Sequence, residues 1–203
     1  MPAPYVRRAG RAALMDGSTL LWSIAEGSRG ERWRGSTRRG EDLVSDLLLE
    51  VGLDGRPGRL EITTTAGQLT LHPEPDQASA HGNVVSADGV RPLAYEWSAR
   101  HWFEARQGPL VAAAMCRALA ANVAVGEFRL VPGLHVDAAL RVWRGERGVQ
   151  RLTESRWLIE EADGFGWELS LDDEGLPIFE AGERRDPASA VAPVWPLEVD
   201  SAG

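Results

Sequence analysis

One stretch constrains this fold more than any other. Residues 109–122, PLVAAAMCRALAAN, read as a helix and carry a single charge, Arg117. A surface helix sets polar residues opposite its apolar stripe, so a helix that is apolar all round has to be enclosed. On both sides of it, between Leu43 and Phe179, the chain reads almost entirely as antiparallel strands. The expected fold is therefore mainly β: a large curled antiparallel sheet, a β-roll or open barrel, packed around one apolar helix. A sheet curled in this way makes a hollow, and a hollow is a place for a ligand.

The strand pattern is clearest before the helix. Over 43–53, Leu43, Leu47, Leu49, Val51 and Leu53 alternate with Asp46 and Glu50, the period of a strand with one buried face. Residues 54–58 are a turn, Leu60 and Ile62 face inward on the next strand, and 68–71 complete a three-strand meander. Strands are also expected at 19–25, 31–38, 82–86, 90–97 and 101–105, with Ala87-Asp88-Gly89 as a hairpin turn. After the helix, 125–131 leads through a turn at Pro132-Gly133 to 134–144, whose inner face is Val136, Ala138, Leu140 and Val142. Gly145 to Gly148 then turns the chain into 149–160, Ala162-Asp163-Gly164 turns it into 165–171, and Asp172 to Gly175 into 176–179. Residues 1–17 are expected to be a flexible leader, 18–180 a single domain, and 181–203 a Pro/Ala-rich tail with a short edge strand at 195–199. Trp33-Arg34-Gly35 and Trp143-Arg144-Gly145 each open about four strands, a faint echo between two halves.

Composition excludes several classes of partner. A net charge of −8 argues against nucleic acid and anionic membrane surfaces, which select basic patches. All 22 basic residues are arginine, which fits a GC-rich genome. The longest apolar run is far below the ~20 residues of a membrane span, and no secretory signal is present, so a cytoplasmic, soluble protein is expected. The one cysteine, Cys116, lies in the apolar helix and reads as a small buried hydrophobe.

No catalytic signature is present: no G-x-S-x-G, P-loop, G-x-G-x-x-G or H-E-x-x-H. His72, Glu74, Asp76 and His81 share a polar loop, but their spacing matches no zinc pattern, so no metal and no cofactor is assigned. His135, out of step with the inner face of its strand, is expected to point outward. A set such as His101, Glu104 and Glu96 is the minimum a hydrolase would need. The eight tryptophans are more informative, because an aromatic ring with a polar edge suits a partly wet pocket. Trp33, Trp97, Trp102, Trp143 and Trp157, with Met115 and Leu119 of the helix, are the candidate ligand-binding residues; Trp167 reads as core.

The closing hairpin, Gly166-Trp167-Glu168-Leu169-Ser170-Leu171-Asp172-Asp173-Glu174-Gly175-Leu176-Pro177, resembles the strand–D-E-D-G-L–strand ending of a glycolipid-binding family. Leu20-Leu21-Trp22, Gly55-Arg56-Pro57-Gly58-Arg59-Leu60 and Pro132-Gly133-Leu134-His135-Val136 add to the resemblance. The family's central D-V-D-L and T-P-x-T-N-T-L-P stretch is missing, and the apolar helix stands in its place. The resemblance implies a spiral β-roll, similar to bacterial lipoprotein carriers, and carries no ligand contact over to any residue.

Three functions follow. The first is a non-enzymatic binding protein that shelters an apolar or amphipathic small molecule, a lipid or glycolipid, inside the curled sheet. The second is a structural or protein-interaction module whose interior is filled. The third is a hydrolase acting on a lipid or sugar derivative. Oligomeric state is not legible in the sequence.

Overall fold

A computed structural model describes residues 7–14, 17–105, 109–160, 166–178 and 197–198. Before the helix come β1 (Arg7–Ala13), β2 (Thr19–Gly27), β3 (Gly30–Arg39), β4 (Asp42–Val51), β5 (Pro57–Thr64), β6 (Gly67–Pro73), β7 (Ser79–Ser86), β8 (Gly89–Glu96) and β9 (Trp102–Ala105). The helix α1 is Leu110–Leu119. After it come β10 (Phe128–Val136), β11 (Val142–Arg151), β12 (Arg156–Glu160), β13 (Gly166–Leu171), β14 (Pro177–Ile178) and β15 (Leu197–Glu198).

The fold is mainly β, as the alternation predicts, but the strands form two sheets. The first is an antiparallel meander of nine strands in the order β15-β1-β2-β3-β4-β5-β6-β7-β8. The second has six strands in the order β14-β13-β12-β11-β10-β9, and its β9–β10 pair is parallel. Parallel neighbours need a long crossover. α1 is that crossover, and it touches β3 of the first sheet as well as β9 and β13 of the second. A position between two sheets explains its composition: Leu110 to Cys116 are all buried. Gly35 fixes the approach to β3, since a Cβ there would lie 2.6 Å from Leu110 Cδ1. No helix among the described residues is long and apolar enough to cross a membrane.

The meander β4–β6 is as expected, with Leu47, Leu49, Val51, Leu60, Ile62, Leu69 and Leu71 in the core. Four details differ. Part of the supposed leader is strand β1, paired with β2 over its whole length and with β15 at Arg11 and Ala12. Leu43 and Leu53 are exposed, because the β3–β4 register shifts between Thr37 and Arg38 and Leu53 lies beyond the strand. Pro132-Gly133 is no turn: β10 runs straight through it, and Pro132 falls just before β9 begins to pair at Gly133. The chain turns instead at Asp137 to Arg141, leaving Ala138 exposed, and Gly145 and Gly148 lie inside β11. The turn expected at 162–164 and the loop expected at 181–194 lie outside the described residues.

Candidate functional site

The pairing register identifies one face of the second sheet. Trp102 lies opposite Gly133, Glu104 opposite His135, His135 opposite Trp143, and Arg151 opposite Trp157. Directly paired residues share a face, and side chains two apart along a strand do too. Trp102, Glu104, His135, Trp143, Arg147, Arg151 and Trp157 therefore look the same way. This face is the one α1 covers. Arg151 Nη1 donates to the carbonyls of Ala120 (2.7 Å) and Val123 (3.0 Å), satisfying acceptors left over at the helix C-terminus. Its guanidinium also lies 5.6 Å from the centre of the Trp157 ring.

Charged groups are buried on this face. Arg147 and Glu104 form an ion pair at 2.8 Å, both almost fully out of water. His135 is buried beside them, contrary to its expected outward direction. That expectation assumed a strand with one wet face. Leu134 and Val136 are buried as well, so this half of β10 has no wet face to offer. Cys116 of α1 is close enough to feel the pair: burial first, and then the Glu104 carboxylate, push its thiol well above the ordinary range. A thiol held protonated in this way is no nucleophile. The indole N–H groups of Trp102 and Trp157 are buried and meet no acceptor among the described residues.

At the edge of the same face the structure opens. A depression of about 390 Å³ is lined by Asp137, Arg141, Val142 and Trp143. Trp143 is 38% exposed there, and its ring stacks on His135 at 5.6 Å between centroids. Behind Trp143 the same face is closed: His135 stacks on its ring, and the Glu104–Arg147 pair lies buried further along. The stack needs Gly145, since a Cβ there would lie 2.7 Å from His135 Nε2.

The turn that forms the rim is held firmly. Asp137 accepts from the Ala139 N–H (2.9 Å), the Arg141 N–H (3.0 Å) and Arg141 Nε (2.7 Å). Burial would raise the Asp137 carboxyl, but these bonds with Arg141 and Ala139 outweigh it and hold it below the usual carboxylate range. Leu140, fully buried, sits at φ +58°. A left-handed non-glycine residue costs about 1–2 kcal/mol, so the surroundings must impose it. They do so from the other sheet: Thr64 Oγ1 donates to the Ala138 carbonyl (3.0 Å), Arg91 to that of Leu140 (3.2 Å), and Tyr95 O–H to that of Val142 (3.1 Å).

The sequence-predicted residues fall into two groups. Trp33, Trp97, Trp102, Met115 and Trp157 are buried, and Leu119 is partly buried against the core. Trp33, Ala113 and Trp157 have no exposed surface, so no space wide enough for a water adjoins them. Trp143 alone of the seven lines the open depression. The three groups of the hydrolase scheme do not converge: Glu104 is buried on Arg147, Glu96 is exposed on Arg144, and His101 Nδ1 is bonded to Ser98 Oγ at 2.7 Å. Among the described residues no cluster of three or more His, Cys, Asp or Glu could hold a metal. Sequence reasoning missed Asp137, Arg141 and Arg147. For Asp137 a signal existed, because aspartate bonding the N–H two residues on is a strong turn former.

No protein-family model matches the chain. No curated protein matches it either. A solved structure with a similar arrangement is that of a DUF1089 family protein from Pseudomonas aeruginosa, with a TM-score of 0.51 and 18% identity, covering 92% of this chain and 94% of that one. At such identity the likeness speaks for the curled β fold alone.

Proposed function

We propose that this is a non-enzymatic binding protein for an amphipathic small molecule, held where the β10–β11 turn meets the first sheet. The observation that carries the reading is the depression itself: an exposed Trp143 backed by His135, with a buried ion pair behind. The Trp143 ring and Val142 beside the Asp137–Arg141 ion pair match a molecule with one greasy and one polar part. The imposed conformation of Leu140 adds support, since strained residues gather at ligand clamps. Removal of apolar ligand surface from water drives the binding. A lipid or glycolipid is the chemical type the shape suits, in keeping with the resemblance of the closing hairpin.

Native mass spectrometry and organic extraction of the purified protein test this. Bound amphiphile, and saturable binding of added amphiphile, are expected. Trp143→Ala removes roughly 60 Å² of apolar contact, about 1.5 kcal/mol, and weakens binding about tenfold without unfolding the protein. A protein that purifies empty and binds no amphiphile refutes the proposal.

One observation favours an interaction module as a second reading. β9 pairs with β10 only from Gly133 on, so the first half of β10 has one strand neighbour among the described residues. Phe128 and Leu130 are exposed there, with Val125 nearby. An open strand edge carrying apolar side chains is a place for another chain to pair.

A further inference from the structure

The residues along the open edge of β10 describe the chain that fits it. The Arg151 N–H donates to the Glu127 carbonyl at 3.2 Å, just where β10 begins. In an antiparallel ladder such bonds fall on alternate residues, so Arg129 and Val131 face β11 while Phe128, Leu130 and Pro132 turn their backbone groups outward. β9 covers that side only from Gly133 on. Ahead of it, the N–H and C=O groups of Phe128 and Leu130 have no strand beside them among the described residues. Pro132 has no N–H to offer, so the stretch that can both donate and accept is Phe128 to Leu130.

Two kinds of side chain flank this edge. On the face turned away from α1, Phe128 and Leu130 are exposed. The Phe128 ring rests on the sheet over Gly148, where a Cβ would lie 3.0 Å from its Cε2. On the other face stand Glu127 and Arg129, of opposite charge and both partly exposed.

A two-fold axis through the edge sets a second copy of β10 antiparallel to the first. Three positions of that axis match the outward backbone groups. An axis at Arg129 puts two guanidinium groups directly opposite each other, which is repulsive. An axis at Leu130 puts Glu127 against Gly133, where β9 already sits. An axis at Phe128 puts Glu127 opposite Arg129 of the second copy, Arg129 opposite its Glu127, and ring against ring on the outer face. Opposite charges and aromatic pairs placed in this way stabilise a sheet.

We propose that β10 pairs with β10 of a second copy of this chain, antiparallel about Phe128, joining two molecules through their second sheets. The proposal names the occupant of the open edge and rests on the interaction reading given above; it does not involve the depression at Trp143. The paired stretch is short, so the dimer is weak, with a Kd of about 0.1 mM.

Sedimentation equilibrium from about 10 µM to about 1 mM, with amide exchange at both ends of that range, is the test. Wild type is expected to pass from monomer to dimer, and exchange at Phe128 and Leu130 to slow as it does. Arg129→Glu sets like charges opposite each other, and Glu127→Arg does the same with the other sign. Each should weaken self-association at least about tenfold. Mixed in equal amounts, the two variants restore every opposite pair and should associate about as tightly as wild type. A wild type that stays monomeric overturns the proposal, and so does a dimer in which those amides still exchange freely. A dimer untouched by the single changes, or variants that stay apart on mixing, overturns it too. If the two amides are already protected in the monomer, the edge is closed, and the interaction reading falls together with the proposal. Should a charge variant not fold, the wild-type series with its exchange data decides alone.

Discussion

Gly145→Ala is expected to destabilise the protein, and the cause is a single neighbour. The new Cβ would lie 2.7 Å from His135 Nε2 and 2.9 Å from Cδ2, closer than real Cβ contacts. His135 is buried and stacked on Trp143, so the ring has little room to retreat. Overpacking of this kind costs about 1–3 kcal/mol, while alanine in place of a strand glycine returns about 0.5–1 kcal/mol. The net loss should be up to about 2.5 kcal/mol, centred on about 1 kcal/mol, or a melting point lowered by roughly 2–4 °C at that centre for a chain of this length. The decisive assay is a double-mutant cycle with His135→Ala followed by thermal or urea unfolding. With the imidazole gone, the same Gly145→Ala change should stabilise by about 0.5–1 kcal/mol. Gly58→Ala serves as control, since its Cβ would meet nothing nearer than the Glu50 carbonyl at 3.8 Å. If Gly145→Ala costs the same whether or not His135 is present, the placement of the ring over Gly145 is wrong.

Arg151→Met removes the donors to the Ala120 and Val123 carbonyls, charge-assisted bonds at a nearly dry site. It should cost about 2–4 kcal/mol in urea unfolding and speed amide exchange at the end of α1; an unchanged midpoint refutes the cap. For Asp137 the folded carboxyl titrates below its unfolded value of about 3.9. Its stabilising contribution is therefore complete above that value and is lost as pH falls through the lower, folded one. The difference in melting point between wild type and Asp137→Asn should shrink on acidification below about pH 4, and a difference independent of pH contradicts this role.

The sheltered position of α1 was legible, but its cause was not. Absence of a polar face requires enclosure, and the helix is enclosed. The reason is its role as the crossover of a parallel pair, a role for which the signs were present: a strand, an apolar helix and another strand in succession. The strand at 101–105 is expected from the sequence, but β9 is four residues long and buried throughout, so it shows no alternation that would reveal which strand it pairs with or in which direction. Pro132-Gly133 misled in the opposite sense. Both residues punctuate chains, yet a proline is harmless where a strand lacks one neighbour, and β9 begins to pair only at Gly133.

The tryptophans mark the limit of reading a site from neighbours in sequence. Polar residues beside a tryptophan in sequence suggest a wet ring, but in a strand the flanking residues point to the opposite face. Arg32 and Arg34 say nothing about Trp33, which is fully buried with its N–H on Glu31 at 2.8 Å. What exposes Trp143 is its place one residue into β11, beside the Asp137–Arg141 turn, and that turn had been assigned elsewhere. The buried ion pair was further out of reach. Glu104 and Arg147 come from strands on either side of α1, and they meet only because the parallel pairing sets β9 against β10 and β10 against β11. A polar site assembled by a crossover becomes visible only once the crossover itself is known.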